Sequence, residues 1–257
     1  MPPTARERLA ALELPGTVRF GAPSAEPVRR LPVGIAALDE LLDGGLPRGH
    51  LSEIVGGPSS GRTAVLHALL AATTRAGAVA ALVDLPDALD PPSLARAGAL
   101  LERILWVRPP APRQALQCAE LILAAGGFAL VALDLDAAVA AAHRPPPRAA
   151  WLRLAQAARR ADAAGVVLGT RRQTGAAAAL ALRLRADRVH WSPHLLDGLT
   201  ATATLTRTRF GAGERIARIV VGDDLAAVSA RIREFSPQRR RDAEADRHRL
   251  RASASPR

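Results

Sequence analysis

Gly56-Gly57-Pro58-Ser59-Ser60-Gly61-Arg62-Thr63 follows an apolar, strand-like run, Leu51 to Val55, and opens a helical pattern, Ala64 to Ala72. A strand, a glycine-rich turn and a helix N-terminus in that order make a phosphate cradle, because backbone N–H groups and the helix dipole converge on an anion. The spacing is that of the P-loop, G-x-x-x-x-G-K-[ST], with one departure: Arg62 stands where the phosphate-reading lysine belongs. That lysine sets a compact point charge on the β/γ-phosphates, and a planar guanidinium does not replace it like for like.

Gly56 to Thr63 are therefore candidate nucleotide-binding residues, with Thr63 the candidate Mg²⁺ ligand. About 70 residues further on, Phe128 to Leu133 is an unbroken apolar run that ends in Asp134. A buried parallel strand with a carboxylate at its C-terminal end is the Walker B arrangement, which makes Asp134 the candidate acid beside Mg²⁺. The residues leave a second reading open for each. The loop is also a turn that suits strand-to-helix geometry, and Asp134 is also a polar strand end.

Around these two landmarks the pattern alternates strand and helix. Leu31 to His50 reads as a short helix, a glycine turn and the entry into the P-loop strand. Val79 to Val83 is a short strand ending at Asp84, and Ile104 to Val107 is another. Helical patterns cover Ser93 to Leu101, Gln114 to Ala125 and Ala149 to Ala164, and Val166 to Leu168 is a strand. Three later runs, Asp187 to Trp191, Thr200 to Phe210 and Arg215 to Val221, read as strands that close the domain. The whole predicts an α/β fold with a mostly parallel central sheet, flanking helices and late antiparallel strands. Residues 1–30 form an N-terminal helix and linker, 31–222 the core, and 223–257 a last helix and a basic tail with almost no apolar residues.

The chain has 257 residues, 49% hydrophobic, with a net charge of +11. A core of that apolar content excludes a disordered chain, and the charge points to an acidic partner or to solvated arginines. All 35 basic residues are arginine, with no lysine, asparagine or tyrosine, a pattern that GC-rich codon usage produces. The lone Cys118 excludes an internal disulfide framework. Met1 to Arg30 has no apolar signal-peptide core, and the alanine-rich runs are interrupted by charge, so a cytoplasmic, nucleoid-associated protein without membrane contact is expected. Two basic loops are candidate DNA-binding elements, Arg144 with Arg148, and Arg171 with Arg172. The tail arginines Arg239, Arg240, Arg241, Arg247, Arg249 and Arg251 are candidates for holding DNA or a protein partner.

Residues 31 to about 221 resemble the RecA ATPase core. The likeness runs through Leu38-Asp39, Gly44-Gly45-Leu46-Pro47-Arg48-Gly49, the P-loop, Val83-Asp84-Leu85-Pro86-Asp87-Ala88-Leu89-Asp90-Pro91, Gln114-Ala115-Leu116, the Walker B strand and Thr206-Arg207-Thr208-Arg209-Phe210. The resemblance implies ATP and Mg²⁺ as cofactors and contact with single-stranded DNA. In RecA the segment after the aspartate carries a glutamate that orients the attacking water; that position here is Pro86, with Asp87 beside it. The second DNA-binding loop has shrunk to about Thr170 to Gly175, and the large C-terminal domain is replaced by the short helix and tail. A degenerate RecA core of this kind is similar to the ImuA proteins. That likeness implies a non-recombinogenic adapter in SOS-type translesion synthesis, with RecA and an ImuB-like Y-family polymerase homologue as partners and little or no ATPase. The alternatives are a DNA-stimulated ATPase of the RecA family and a SulA-like division inhibitor; SulA relatives lack a recognisable P-loop, which argues against the second.

Overall fold

The computed structural model describes residues 28–135, 146–191, 196–211 and 214–222. The expected N-terminal and C-terminal helices, Arg144 and the six tail arginines lie outside the described residues.

In chain order the elements are β1 (Arg30–Leu31), α1 (Ala36–Leu41), β2 (Leu46–Pro47), β3 (Leu51–Gly56), α2 (Arg62–Arg75), β4 (Ala80–Asp84), α3 (Pro91–Arg96), a 3₁₀ turn (Leu101–Arg103), β5 (Ile104–Val107), α4 (Pro112–Ala125), β6 (Leu130–Asp134), α5 (Arg148–Ala161), β7 (Ala164–Gly169), β8 (Leu180–Trp191), β9 (Leu196–Thr208) and β10 (Arg215–Val221). One eight-stranded sheet has the order β10-β9-β8-β3-β7-β6-β4-β5. From β5 to β8 every neighbour is parallel, and β9 and β10 are added antiparallel. The expected α/β core with late antiparallel strands is thus the observed fold.

The apolar runs of the parallel strands are what a sheet buried on both faces requires. Alternate residues feed two cores: Leu82, Leu130, Ala132, Val166, Leu168 and Ile54 join α1 and α2 on one face, and Val83, Val131, Leu133, Val167 and Leu51 join α4 and α5 on the other. Trp151, on the inner side of α5, is 2% exposed and belongs to the second core.

Several element bounds differ from the sequence expectation: the helix expected to Ala164 ends at Ala161, β7 starts at Ala164 and β9 at Leu196. The Ser93-to-Leu101 helix begins earlier and is short: Asp90 caps it, its carboxylate accepting from Ser93 N at 3.0 Å, with prolines in the first turn. More consequentially, β8 starts at Leu180, seven residues before the expected Asp187. The alanine run that precedes it has weak strand propensity, yet Leu180, Leu182 and Leu184 alternate into the core and pair alongside β3.

The Leu38-Asp39 and Gly44-Gly45 pieces are a frame for the P-loop strand. The Asp39 carboxylate accepts from Val33 N at 2.6 Å and Gly34 N at 3.1 Å, fixing the chain before α1. Gly45 has φ +120°, and a Cβ there would overlap the Leu31 carbonyl across the β1–β2 pair. Asp43, just past α1, makes a two-pronged bond to Arg215 of β10 at 2.7 and 2.8 Å. That guanidinium holds the Asp43 carboxyl below the ordinary carboxylate range.

Gly45→Ala should cost about 3 kcal/mol or more, from an incompatible φ compounded by backbone overlap, read as a lower urea midpoint with unchanged m-value. The Asp43–Arg215 pair is half-exposed and worth at most about 1 kcal/mol. Because the folded-state pKa is lowered, this stability is present above the unfolded carboxyl pKa and fades as pH falls through the folded one. Asp43→Asn should therefore lower Tm slightly at pH 7 and leave it unchanged relative to the parent at the acid end.

Candidate functional site

The P-loop sits where β3 turns into α2, and its glycines answer to specific neighbours. A Cβ on Gly56 would lie 2.8 Å from the Leu184 carbonyl oxygen of β8 and would overlap Ser60 Oγ. Gly61, the residue before the first turn of α2, has φ +91°, and a Cβ there would press on Leu199 Cδ2 at 3.3 Å. Ser59 also adopts a left-handed conformation, φ +56°. Within the loop Ser60 N donates to Gly57 O at 3.2 Å. The N–H groups of Arg62, Thr63 and Ala64 occupy the first turn of α2, where helix geometry supplies no intrahelical acceptor.

This backbone fits a phosphate group. The Ser60 hydroxyl is buried inside the loop without a hydrogen-bond partner among the described residues, and the α2 dipole favours an anion at that end. Thr63 is exposed at the start of α2, and Arg62 is partly buried beside it. Their side chains are the ones that would meet a phosphate and its metal ion.

Strand register places the acids. Asp84, Asp134, Leu168, Ile54 and Leu182 stand in one row across β4, β6, β7, β3 and β8. Asp134 is thus at the same C-terminal edge as the P-loop, separated from β3 by the single strand β7, or about 10 Å at the usual strand spacing. By alternation it shares the sheet face that α2 covers. Gly56 to Thr63 and Asp134 are brought to one edge.

Asp84, 2% exposed, is fully engaged as a loop anchor: Oδ1 accepts from Ala88 N at 3.2 Å, and Oδ2 accepts from Leu89 N at 3.0 Å and Trp106 Nε1 at 3.1 Å. Asp87 forms an exposed ion pair with Arg108 at 3.5 Å, and Arg108 in turn lies 4.8 Å over the Trp106 ring. Pro86, between the two acids, contributes no carboxylate.

On the opposite sheet face Glu53 supplies what the apolar reading of Leu51 to Val55 passed over. It is 1% exposed in the middle of β3, and the turn after β7 folds back to meet it. Glu53 Oε1 accepts from Gln173 N at 2.5 Å and Thr174 N at 3.1 Å, and Oε2 accepts from Thr174 Oγ1 at 2.7 Å and Arg172 Nε at 3.3 Å. Arg172 also donates to Gly175 O at 3.2 Å. Of the candidate DNA-binding arginines, Arg172 is therefore committed to Glu53, while Arg171 on the same turn and Arg148 at the first residue of α5 are exposed. The sequence signal for Glu53 was a single charge inside a strand, which is rarely buried unless paired.

Among the described residues no helix is long and apolar enough to cross a membrane, and no cluster of three or more His, Cys, Asp or Glu side chains could hold a metal by itself.

A family model of the RecA N-terminal domain matches residues 15–145, just over half of the 257-residue chain. The chain is 38% identical over 123 residues to "Protein RecA" of Clavibacter michiganensis, covering 48% of this chain and 34% of that protein. It is 35% identical over 151 residues to "Protein RecA" of Nocardia farcinica, covering 54% of this chain and 44% of that protein. A third relative, "Protein RecA" of Frankia casuarinae, is 37% identical over 123 residues, covering 48% of this chain and 36% of that protein. The matches thus span between a third and a half of the relatives' length.

Glu53→Ala should destabilise the fold by about 2–3 kcal/mol, since it strips the charged acceptor from several donors, two of them backbone N–H groups. Hydrogen exchange should show the Gln173 and Thr174 amides losing protection first; unchanged protection there would refute the clamp.

Proposed function

The chain belongs to the RecA family, and we propose that within it the protein acts as a non-recombinogenic adapter in SOS-type translesion DNA synthesis, contacting RecA and an ImuB-like polymerase homologue. The observation that carries this reading is the state of the acids around Pro86. Where the resembled core keeps a glutamate to orient water, this chain has a proline. Asp84 has both oxygens taken by three N–H donors, and Asp87 is paired with Arg108. Phosphoryl transfer in such a site depends almost wholly on positioning and electrostatics, so losing the water-positioning carboxylate and the Walker lysine together removes most of what the protein would supply.

The short clamped turn supports the same reading. A loop of six residues tied to Glu53 by four hydrogen bonds has little reach toward a DNA axis, unlike a long mobile one. ATP and Mg²⁺ remain ligands that the backbone fits, held by Gly56 to Thr63 with Asp134 at the same edge. Bound nucleotide would then set the conformation of the adapter without being turned over. The basic tail, from Arg239 to Arg251, and the exposed Arg148 and Arg171 are the elements offered to DNA or to a partner, and the cell compartment that follows is the cytoplasm at the nucleoid.

One observation favours the second reading, a DNA-stimulated ATPase: the cradle and Asp134 keep their relative placement on one sheet edge and one sheet face. Turnover measurements separate the two. Under the adapter reading, ATP hydrolysis with or without single-stranded DNA stays at the buffer baseline, and the full-length chain co-purifies with RecA and the ImuB-like protein. DNA-stimulated turnover abolished by both Arg62→Ala and Asp134→Ala, or no association with either partner, would overturn it.

A further inference from the structure

α4 and α5 lie side by side on the sheet face opposite α1 and α2, and both run from the C-terminal edge of the parallel strands back to the N-terminal edge. An open groove separates their outer sides. Arg153 Nε donates to Glu120 Oε1 at 3.1 Å across it, dividing it into an upper hollow of about 810 Å³, at the C-terminal edge, and a lower one of about 550 Å³. The floor is apolar: Pro112, Leu116 and Ala150 are buried under the upper hollow and Ala157 under the lower. Leu121 stands at the lower hollow 70% exposed, the highest value among the large apolar side chains described. The charges along the groove are Arg113, Arg153 and Arg160 against Glu120, which Arg153 already engages.

We propose that the occupant of this groove is the chain's own N-terminal segment, docked within the same molecule through the helix predicted over Arg6–Leu14. Leu9 and Leu12 lie at i and i+3, with Ala5 four residues before Leu9, so such a helix has one narrow apolar stripe to bury. Free in water a helix that short is marginal, since about 12–15 residues are needed for one to persist alone. Position selects this segment. Arg29 bonds to Asp162, the residue that closes α5 at the lower end of the groove, and Arg29 O accepts from Arg48 N at 2.9 Å. The chain therefore enters the core beside the lower hollow. Residues 15–27, fully extended, reach about 45 Å, roughly twice the length of α4 at about 21 Å, so the helix can lie along the whole groove. A tether this short sets an effective concentration on the order of millimolar, which favours docking in cis over a second copy. The other end of the chain is badly placed. It leaves from β10, four strands or about 19 Å across the sheet from β7, and its helical pattern starts at Asp223 with no linker. Its tail from Ser236 would bring seven arginines against three acids to a groove that is itself basic. The N-terminal helix is neutral instead, and its Glu7 and Glu13 bracket the two leucines as acids for the groove arginines. Docked there, it caps the groove, and a partner helix that uses α4 and α5 must first displace it.

This contact does not rest on the adapter reading, because it belongs to the isolated chain. The first test is hydrogen exchange on the unmodified full-length protein, which needs no variant to fold, at two concentrations about a hundredfold apart. The amides from Leu9 to Leu14 should exchange at least about tenfold slower than an unstructured chain, and equally so at both concentrations. Exchange at the unstructured rate would overturn the proposal. Protection that vanishes on dilution would overturn it too, by assigning the segment to a second copy. Disulfide trapping in the full-length chain locates the contact. In a Cys118→Ala background, Leu12→Cys with Leu121→Cys should lose both thiols within the monomer at least about tenfold faster than Leu12→Cys with Leu152→Cys. Leu152 is exposed on the same helix pair but lines neither hollow. Equal rates for the two pairs, or disulfide-linked dimers alone, would refute docking in this groove.

Discussion

A carboxylate buried in the middle of an apolar strand must be met by donors, and much of this molecule is arranged around meeting Glu53. The strand that carries it is also the strand that delivers the P-loop, so the need for donors falls on the chain's most constrained element. The turn after β7 answers it with two backbone N–H groups, a hydroxyl and a guanidinium. In doing so it holds the turn from Arg172 to Thr174 against β3. Structure and function are linked at that point: the same bonds that satisfy a buried charge shorten the reach of the basic turn.

The opposite face of β3 serves a different need. There the cradle must bring backbone close to β8, and the glycine at position 56 is required by the Leu184 carbonyl as much as by any ligand. The fossil-turn and binding-site readings of the P-loop therefore make the same demand on this residue. They part at Ser60, whose buried hydroxyl has no partner among the described residues, and at the first turn of α2, whose N–H groups point where an anion would sit.

Much of this was legible in the residues. The alternation of apolar runs and helical patterns defined the parallel core, since double-sided burial leaves little choice of residue in β4, β6 and β7. Asp134 was legible because a lone charge ending an apolar run marks the C-terminal edge of a buried strand. Three things were not. The first half of β8 was hidden because it follows directly on an alanine run, Ala176 to Ala179, that reads as no strand, and its pairing with β3 shows only in space. Glu53 was passed over because one acid does not break an apolar pattern, although its burial entails partners over a hundred residues away. The engagement of Arg172 was invisible for the same reason: a loop arginine looks solvated until the acid that takes it is located in space.

The change from parallel to antiparallel pairing at β8 divides the sheet into two regimes of constraint. Strands clad on both faces must conserve shape at every position, so they are closed to innovation. Beyond that seam several of the outward-facing residues are exposed, although Ala181 and Thr200 stay buried. Exposed positions there can change without disturbing the core, and the seam marks where such change costs the fold least.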